Sequence, residues 1–151
     1  PNVRPEVFDG QDAMRAAVDP VLARTDVLKV SEEDLSLAGY DYPDPLAALA
    51  DRGPHTVFLT RGAAGARVLS TDRAPWGGER TDRPGFAVDA VESTGSGDAF
   101  TAAVIASLVD GASAAESLRF ATAAGAAATT ASGAMGALPT REAVRSVVDG
   151  A

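Results

Sequence analysis

Glu92-Ser93-Thr94-Gly95-Ser96-Gly97-Asp98-Ala99-Phe100 is the stretch from which the whole chain is best read. The run Phe86-Ala87-Val88-Asp89-Ala90-Val91 before it predicts a strand, and the alanine-rich run over 99–109 after it predicts a helix. A Gly-x-Gly turn between strand and helix leaves backbone N–H groups unpaired at the positive end of the helix dipole, where an anion is best held. Gly95, Ser96 and Gly97 are therefore the candidate anion hole, since a Cβ there would keep the backbone from an oxygen anion. Asp98 falls on the first helical turn and is the candidate base. A base beside an anion hole can take the proton of a hydroxyl and let a phosphoryl group pass to it. The four residues Gly-Ser-Gly-Asp alone read equally well as a tight loop with Asp98 as a helix cap.

Working outward, residues 11–24 predict a helix, with Met14, Ala17, Val18, Val21 and Leu22 at helical spacing and Pro20 as a kink. Val27-Leu28-Lys29-Val30 predicts a short buried strand, followed by a helix capped by Ser31, with Asp34 completing a capping box. Residues 45–52 predict a second short helix closed by Gly53. Thr56-Val57-Phe58-Leu59-Thr60 and 66–70 predict strands joined through Arg61-Gly62-Ala63-Ala64-Gly65, a hairpin signal. Residues 71–85 read as a polar, Gly/Pro-rich connection, 112–130 as a helix, and 140–148 as a terminal helix capped by Thr140. Helices alternating with strands indicate an α/β sheet, mostly parallel, with one antiparallel hairpin.

The sequence has 151 residues, 46% of them hydrophobic, which suffices for one domain with a proper core. A net charge of −8, with 13 scattered basic residues, argues against nucleic acid as a partner and disfavours an anionic membrane surface. No apolar run has the length needed to cross a bilayer, and the first residues lack the features of a signal peptide. The absence of cysteine excludes disulfides and thiolate metal sites and suits a cytoplasmic location. His55 is the sole histidine. It reads as solvent-facing and leaves a His-dependent triad or a zinc hydrolase little to stand on. Trp76, in a Pro/Gly loop, reads as a packing anchor.

With these flanks, the 92–100 segment resembles the signature Asp-Thr-x-Gly-Ala-Gly-Asp-x-Phe of the PfkB carbohydrate kinases, the ribokinase-like family. Thr94, Gly95, Gly97, Asp98 and Phe100 match, while Glu92 stands in place of the first Asp and Ser96 in place of Ala. Pro1, Asn2, Arg4 and Pro5 resemble an internal Asp-Pro-Asn-x-Arg-Pro element of the family's fructokinase branch. Lys29-Val30-Ser31-Glu32-Glu33-Asp34 resembles its Asn-x-x-Glu region, with Ser31 where Asn and Asp34 where Glu are usual. Thr60-Arg61-Gly62-Ala63-Ala64-Gly65 resembles the turn at the nucleotide phosphates. Phe120-Ala121-Thr122-Ala123-Ala124-Gly125-Ala126 and Ser132-Gly133-Ala134 resemble the segments beside the adenine.

The resemblance implies a ribokinase-like α/β fold and transfer of the ATP γ-phosphoryl group to a sugar hydroxyl, closest to a fructokinase. A ribokinase or 2-keto-3-deoxygluconate kinase relative is the alternative. Asp98 would be the base, and the Gly95, Ser96 and Gly97 amides the anion hole. Thr60, Gly62, Gly65, Thr94, Thr122, Gly125, Ser132, Gly133 and Ala134 would bind ATP, with Asn2 and Arg4 in support. Glu33 and Asp34 would serve Mg²⁺ through water, and Glu92 would sit at a monovalent-cation site that its replacement of Asp and Ala137 in place of Ser put in question. The resemblance also implies that residues 1–151 form the C-terminal, nucleotide-binding half of a longer kinase. Its sugar-binding half, lid and homodimer contacts would then lie outside this chain, leaving open the alternative of a catalytically incomplete ATP-binding fragment.

Overall fold

The computed structural model describes residues 4–133, 136 and 138–150. Asn2, Ala134 and Ala137 lie outside the described residues.

A four-stranded sheet is ordered β1-β2-β3-β4, from Val27–Ser31, Thr56–Thr60, Ala66–Ser70 and Glu79–Arg83. β1 runs parallel to β2, whereas β2–β3 and β3–β4 are antiparallel, so the described sheet is mixed rather than mostly parallel. β2 lies second in the order and is buried along Thr56 to Leu59, as expected for a strand covered on both faces. Its alternation sends Val57 and Leu59 to one core and Phe58 to the other.

The first core lies under α1 (Gln11–Leu22), α2 (Glu32–Leu37) and α3 (Pro45–Ala50), where Met14, Leu22, Leu28, Leu35, Leu46 and Leu49 close on the sheet. The second lies under α4 (Ser96–Val109), α5 (Ala114–Ala128) and α6 (Arg141–Asp149), where Phe100, Val104, Leu118, Ala121 and Val144 pack with Val68. Small residues let α4 and α5 approach closely. A Cβ on Gly125 would stand 3.4 Å from the Ser96 carbonyl oxygen.

Local chemistry starts most helices where the sequence places them. Ser31 and Ser113 each form a full capping box, with Asp34 and Glu116 as the reciprocal partners. Asp44 and Thr140 cap α3 and α6. His55 is half-buried rather than solvent-facing: its ring meets Trp76 edge-on, and its Nδ1 lies 3.0 Å from Thr56 Oγ1. Trp76 anchors its loop by donating to the same hydroxyl.

Two further expectations are overturned. Residues 86–91 form no strand. They pair with no strand among the described residues; the Ala90 N–H donates to Val88 O at 3.0 Å in a tight turn, and the N–H groups of Val91 and Glu92 both donate to the Thr129 carbonyl at the end of α5. The strand forms instead at Glu79–Arg83, inside the stretch read as a connection. Its polar sequence is stabilised across strands, because Arg67 pairs with Asp82, its register partner, at 3.2 Å. Glu79 meanwhile accepts from the Ala115 N–H at the start of α5.

Candidate active site

The strand β1, the β2–β3 turn and the N-terminus of α4 enclose a cleft of about 1030 Å³. Thr60, Gly62, Ser96, Gly97, Asp98, Glu33, Asp34 and Arg4 all line it, which brings the centre of the sequence-derived site together. Lys29, Ser31, Glu32, Arg61, Ser93 and Thr101 add to its polar walls.

Gly95 is the N-cap of α4 and has φ 84°, a left-handed conformation that glycine adopts without the steric cost a Cβ would add. That turn sets Ser96, Gly97 and Asp98 on the first helical turn. No side chain caps α4. The Ser96 N–H donates to Ser93 O at 3.1 Å and the Asp98 N–H to Gly95 O at 3.1 Å. The Gly97 N–H has no acceptor among the described residues, so of the Ser96 and Gly97 amides it is the open donor facing the cleft. A Cβ on Gly97 would enter the cleft and meet one atom within 4 Å, the Lys29 Nζ at 3.2 Å. Asp98 is exposed beside this opening, and Thr101 Oγ1 donates to Gly97 O at 2.8 Å, fixing the first turn.

Across the cleft, the Asp34 carboxylate accepts from Ser31 Oγ at 2.7 Å as part of its capping box. Glu33 is exposed on the same wall. Among the described residues no three carboxylates or imidazoles converge as a metal cage. Mg²⁺ beside phosphates keeps most of its waters and needs one or two carboxylates, so Glu33 and Asp34 fit a water-mediated role. Arg61 pairs with Asp82 and so is committed to the sheet edge. The Thr60 hydroxyl lies 3.4 Å from the Val30 carbonyl, a weak bond that leaves it at the cleft wall.

Other expected residues stand outside this cleft. Gly65 is buried with φ 99°, and a Cβ there would lie 2.1 Å from the Arg83 carbonyl oxygen, so it serves the β3–β4 packing. Thr122 is buried and its hydroxyl donates to Leu118 O at 2.7 Å, within its own helix. Gly125 supports α4 from behind. Thr94, Ser132 and Gly133 are exposed. Glu92 accepts from the Gly133 N–H at 3.0 Å, and a hydrogen bond to Thr94, followed by this one, holds its carboxyl below the usual range. The carboxylate thereby ties the 132–133 loop to the signature turn.

A family model described as pfkB family carbohydrate kinase matches residues 1–141. The chain belongs to the pfkB family. It is 36% identical over 151 residues to a fructokinase of Klebsiella pneumoniae, covering 94% of this chain and 47% of that protein. An Escherichia coli protein assigned as a ribokinase II, solved with ATP and Mg²⁺, matches with a TM-score of 0.85 and 31% identity, over 100% of this chain and 47% of its own. A Vibrio cholerae fructokinase double mutant, solved with fructose, ADP and potassium, matches with a TM-score of 0.81 and 31% identity, over 98% and 48%. The chain thus spans about half the length of the relatives it matches, and its fold is ribokinase-like α/β. No helix among the described residues is long and apolar enough to cross a membrane.

Lys29 is the site residue that sequence reasoning missed. Its strand reads as a short buried one, whereas the structure leaves Lys29 half-buried on the face it shares with Ser31, and nothing local indicates that α4 begins opposite it.

Proposed function

We propose that this pfkB chain is the C-terminal, nucleotide-binding half of an ATP-dependent sugar kinase, nearest in reaction to a fructokinase. The observation that carries this reading is the meeting of the exposed Asp98 carboxylate, the open Gly97 N–H and the Thr60–Gly62 turn in one cleft. ATP would lay its phosphates between the β2–β3 turn and α4, with Thr60 and Gly62 on one side and Gly97 on the other. Gly65 and Gly125 would contribute by packing, and Thr94, Thr122, Ser132 and Gly133, which stand outside the phosphate cleft, would serve the nucleoside end. The acceptor sugar would come from residues outside this chain, with Arg4 and Asn2 nearby in sequence to support it.

In the transfer, Asp98 takes the proton of the acceptor hydroxyl as that oxygen forms its bond to the γ-phosphorus. The bond from that phosphorus to the bridging oxygen breaks, and its electron pair leaves with ADP. There is little covalent work for the protein, so positioning and charge stabilisation carry the rate. Mg²⁺ held through Glu33 and Asp34 would neutralise phosphate charge. A monovalent cation near the Glu92–Gly133 contact would stiffen the same turn. Dependence on cytosolic ATP, together with the lack of cysteine, suits a cytoplasmic enzyme.

A second reading, an ATP-binding fragment without activity of its own, is favoured by the roughly half-length match to the relatives. A coupled ADP-release assay against fructose, ribose and 2-keto-3-deoxygluconate tests the two readings on different samples. ADP release by the full-length protein that depends on one sugar supports the kinase, and its absence with every sugar overturns it. The same assay on residues 1–151 alone tests the fragment reading, which sugar-dependent release by that chain would overturn.

A further inference from the structure

Where the end of α5 meets the signature turn, three backbone carbonyls and one carboxylate are already bonded. Ala126 O accepts from the Thr129 N–H at 3.0 Å and from the Thr129 hydroxyl at 2.7 Å. Ala127 O accepts from the Thr130 N–H at 3.2 Å and from the Thr130 hydroxyl at 2.8 Å. Thr129 O accepts from the N–H groups of Val91 at 2.7 Å and Glu92 at 3.1 Å. A carbonyl oxygen has two lone pairs, so all three are saturated. The Glu92 carboxylate is engaged as well, because the Gly133 N–H donates to it at 3.0 Å and the Thr94 hydroxyl donates to it too. Gly133 has φ 88°, a left-handed bend that suits glycine. The family resemblance places a monovalent cation here, and this donor set does not suit one. A cation is held by oxygens with free lone pairs, whereas the N–H and O–H aimed at the carboxylate put positive ends where the ion would stand. An aspartate at position 92, one methylene shorter, would leave a gap before the Gly133 N–H that an ion could fill. Glu92 spans that gap directly.

We propose that Glu92 is a positioning residue whose carboxylate, in place of a bound monovalent cation, holds the 132–133 loop against the signature turn, so that this kinase works without such a cation. The inference rests on the kinase reading given above. A cation at this point would only add stiffness that the contacts already supply. Glu92 acts through its neighbours: Thr94 leads directly into the Gly95 bend that starts α4, and Gly133 belongs to the loop assigned to the nucleoside end of ATP. Releasing the carboxylate therefore loosens the nucleotide site and leaves Asp98 and the Gly97 N–H in place.

The test uses the full-length protein containing these residues at one ionic strength, set with potassium, sodium or tetramethylammonium chloride, the last too large to sit among ligating oxygens. Calorimetry with Mg²⁺ and a non-hydrolysable ATP analogue is followed by ADP release with sugar. The wild type should bind the analogue equally tightly, and turn over equally fast, in all three salts. E92A should bind the analogue about 3–10-fold more weakly, the net worth of a hydrogen bond, with KM for ATP rising alike and kcat at saturation falling less. E92Q keeps the length and an oxygen that can accept from Gly133, and should recover part of the affinity. Potassium activation of the wild type would overturn the proposal, and so would an E92A protein that binds the analogue as tightly as the wild type. Glu92 is only half-buried, so E92A should fold, with thermal unfolding as the control; the salt series needs no variant at all. The binding arm needs no sugar, so a wild-type protein that phosphorylates nothing sinks the kinase reading while Glu92 is still judged on the nucleotide.

Discussion

Replacing Gly97 by alanine should make the protein more stable and nearly inactive. Gly97 is the second residue of α4 and lies outside the positive-φ glycines, so alanine fits its backbone. Within a helix, alanine is favoured over glycine by roughly 0.5–1 kcal/mol, which for a domain of this size raises Tm by about 1–4 °C. The added methyl points into the cleft, 3.2 Å from Lys29 Nζ. That ammonium ends a flexible chain and can swing aside, so the fold loses little. The methyl nevertheless takes cleft volume beside the open Gly97 N–H and crowds the Lys29 ammonium there. Removing a single donor of this type typically costs ~10²–10³ in kcat. Thermal unfolding followed by circular dichroism, paired with ADP release in the full-length protein, measures both effects. A G97A enzyme with wild-type kcat would refute the idea that phosphate is held at this opening. A variant losing stability and activity together would mean that Gly97 matters for packing instead.

The parts of this molecule that could be read from sequence are those set within a few residues. Ser31, Asp44, Ser113 and Thr140 cap their helices through side chains bonded three residues on, a local interaction. The buried β2 and the alternating β3 follow from apolar runs that can be placed in one way, and Asp98 reaches the first turn because Gly95 permits the bend before it. β4 was illegible because its alternating charges gain meaning only opposite Arg67 and below the start of α5. Residues 86–91 misled in the opposite direction: their apolar character suits a strand, but among the described residues no strand lies beside them to accept the ladder. In the site, Thr122 showed the limit of helical spacing, since a threonine in a helix satisfies its hydroxyl on the preceding turn when it is buried. Asp34 carried two readings, cap and metal neighbour, and its bond to Ser31 establishes the first while leaving the carboxylate on the cleft wall.

Asp98→Asn in the full-length protein should keep ATP affinity and lose ~10²–10⁴ in kcat, the usual cost of a missing general base; retention of a normal turnover by the variant would remove Asp98 from that role. Asp44 is held below its ordinary value of 3.8 first by the Arg80 guanidinium, at 2.7 and 3.0 Å. A depressed folded pKa means that its stabilisation is present above the unfolded value and is lost as pH falls through the folded one. D44A should therefore cost about 1 kcal/mol at neutral pH, mainly as a lost cap because the exposed ion pair is screened, and urea unfolding should find the gap narrowing in acid below pH 3.8; a gap that persists undiminished there would assign it to packing. Finally, residues 1–151 expressed alone should bind Mg–ATP weakly and release no ADP in response to sugar. Binding should survive because Thr60, Gly62, Gly97 and Lys29 meet in one cleft within this chain. Transfer should fail because the relatives reach about twice this length, and holding the acceptor hydroxyl against Asp98 falls to the remainder. Orienting two reactants accounts for roughly 7–11 kcal/mol of a barrier, which nothing at the phosphate end can replace. Calorimetry with ATP and an ADP-release assay on the isolated chain test the two halves of this expectation separately. Sugar-dependent ADP release at an ordinary enzymatic rate would mean that an acceptor site exists within these residues and that the division of labour proposed here is wrong.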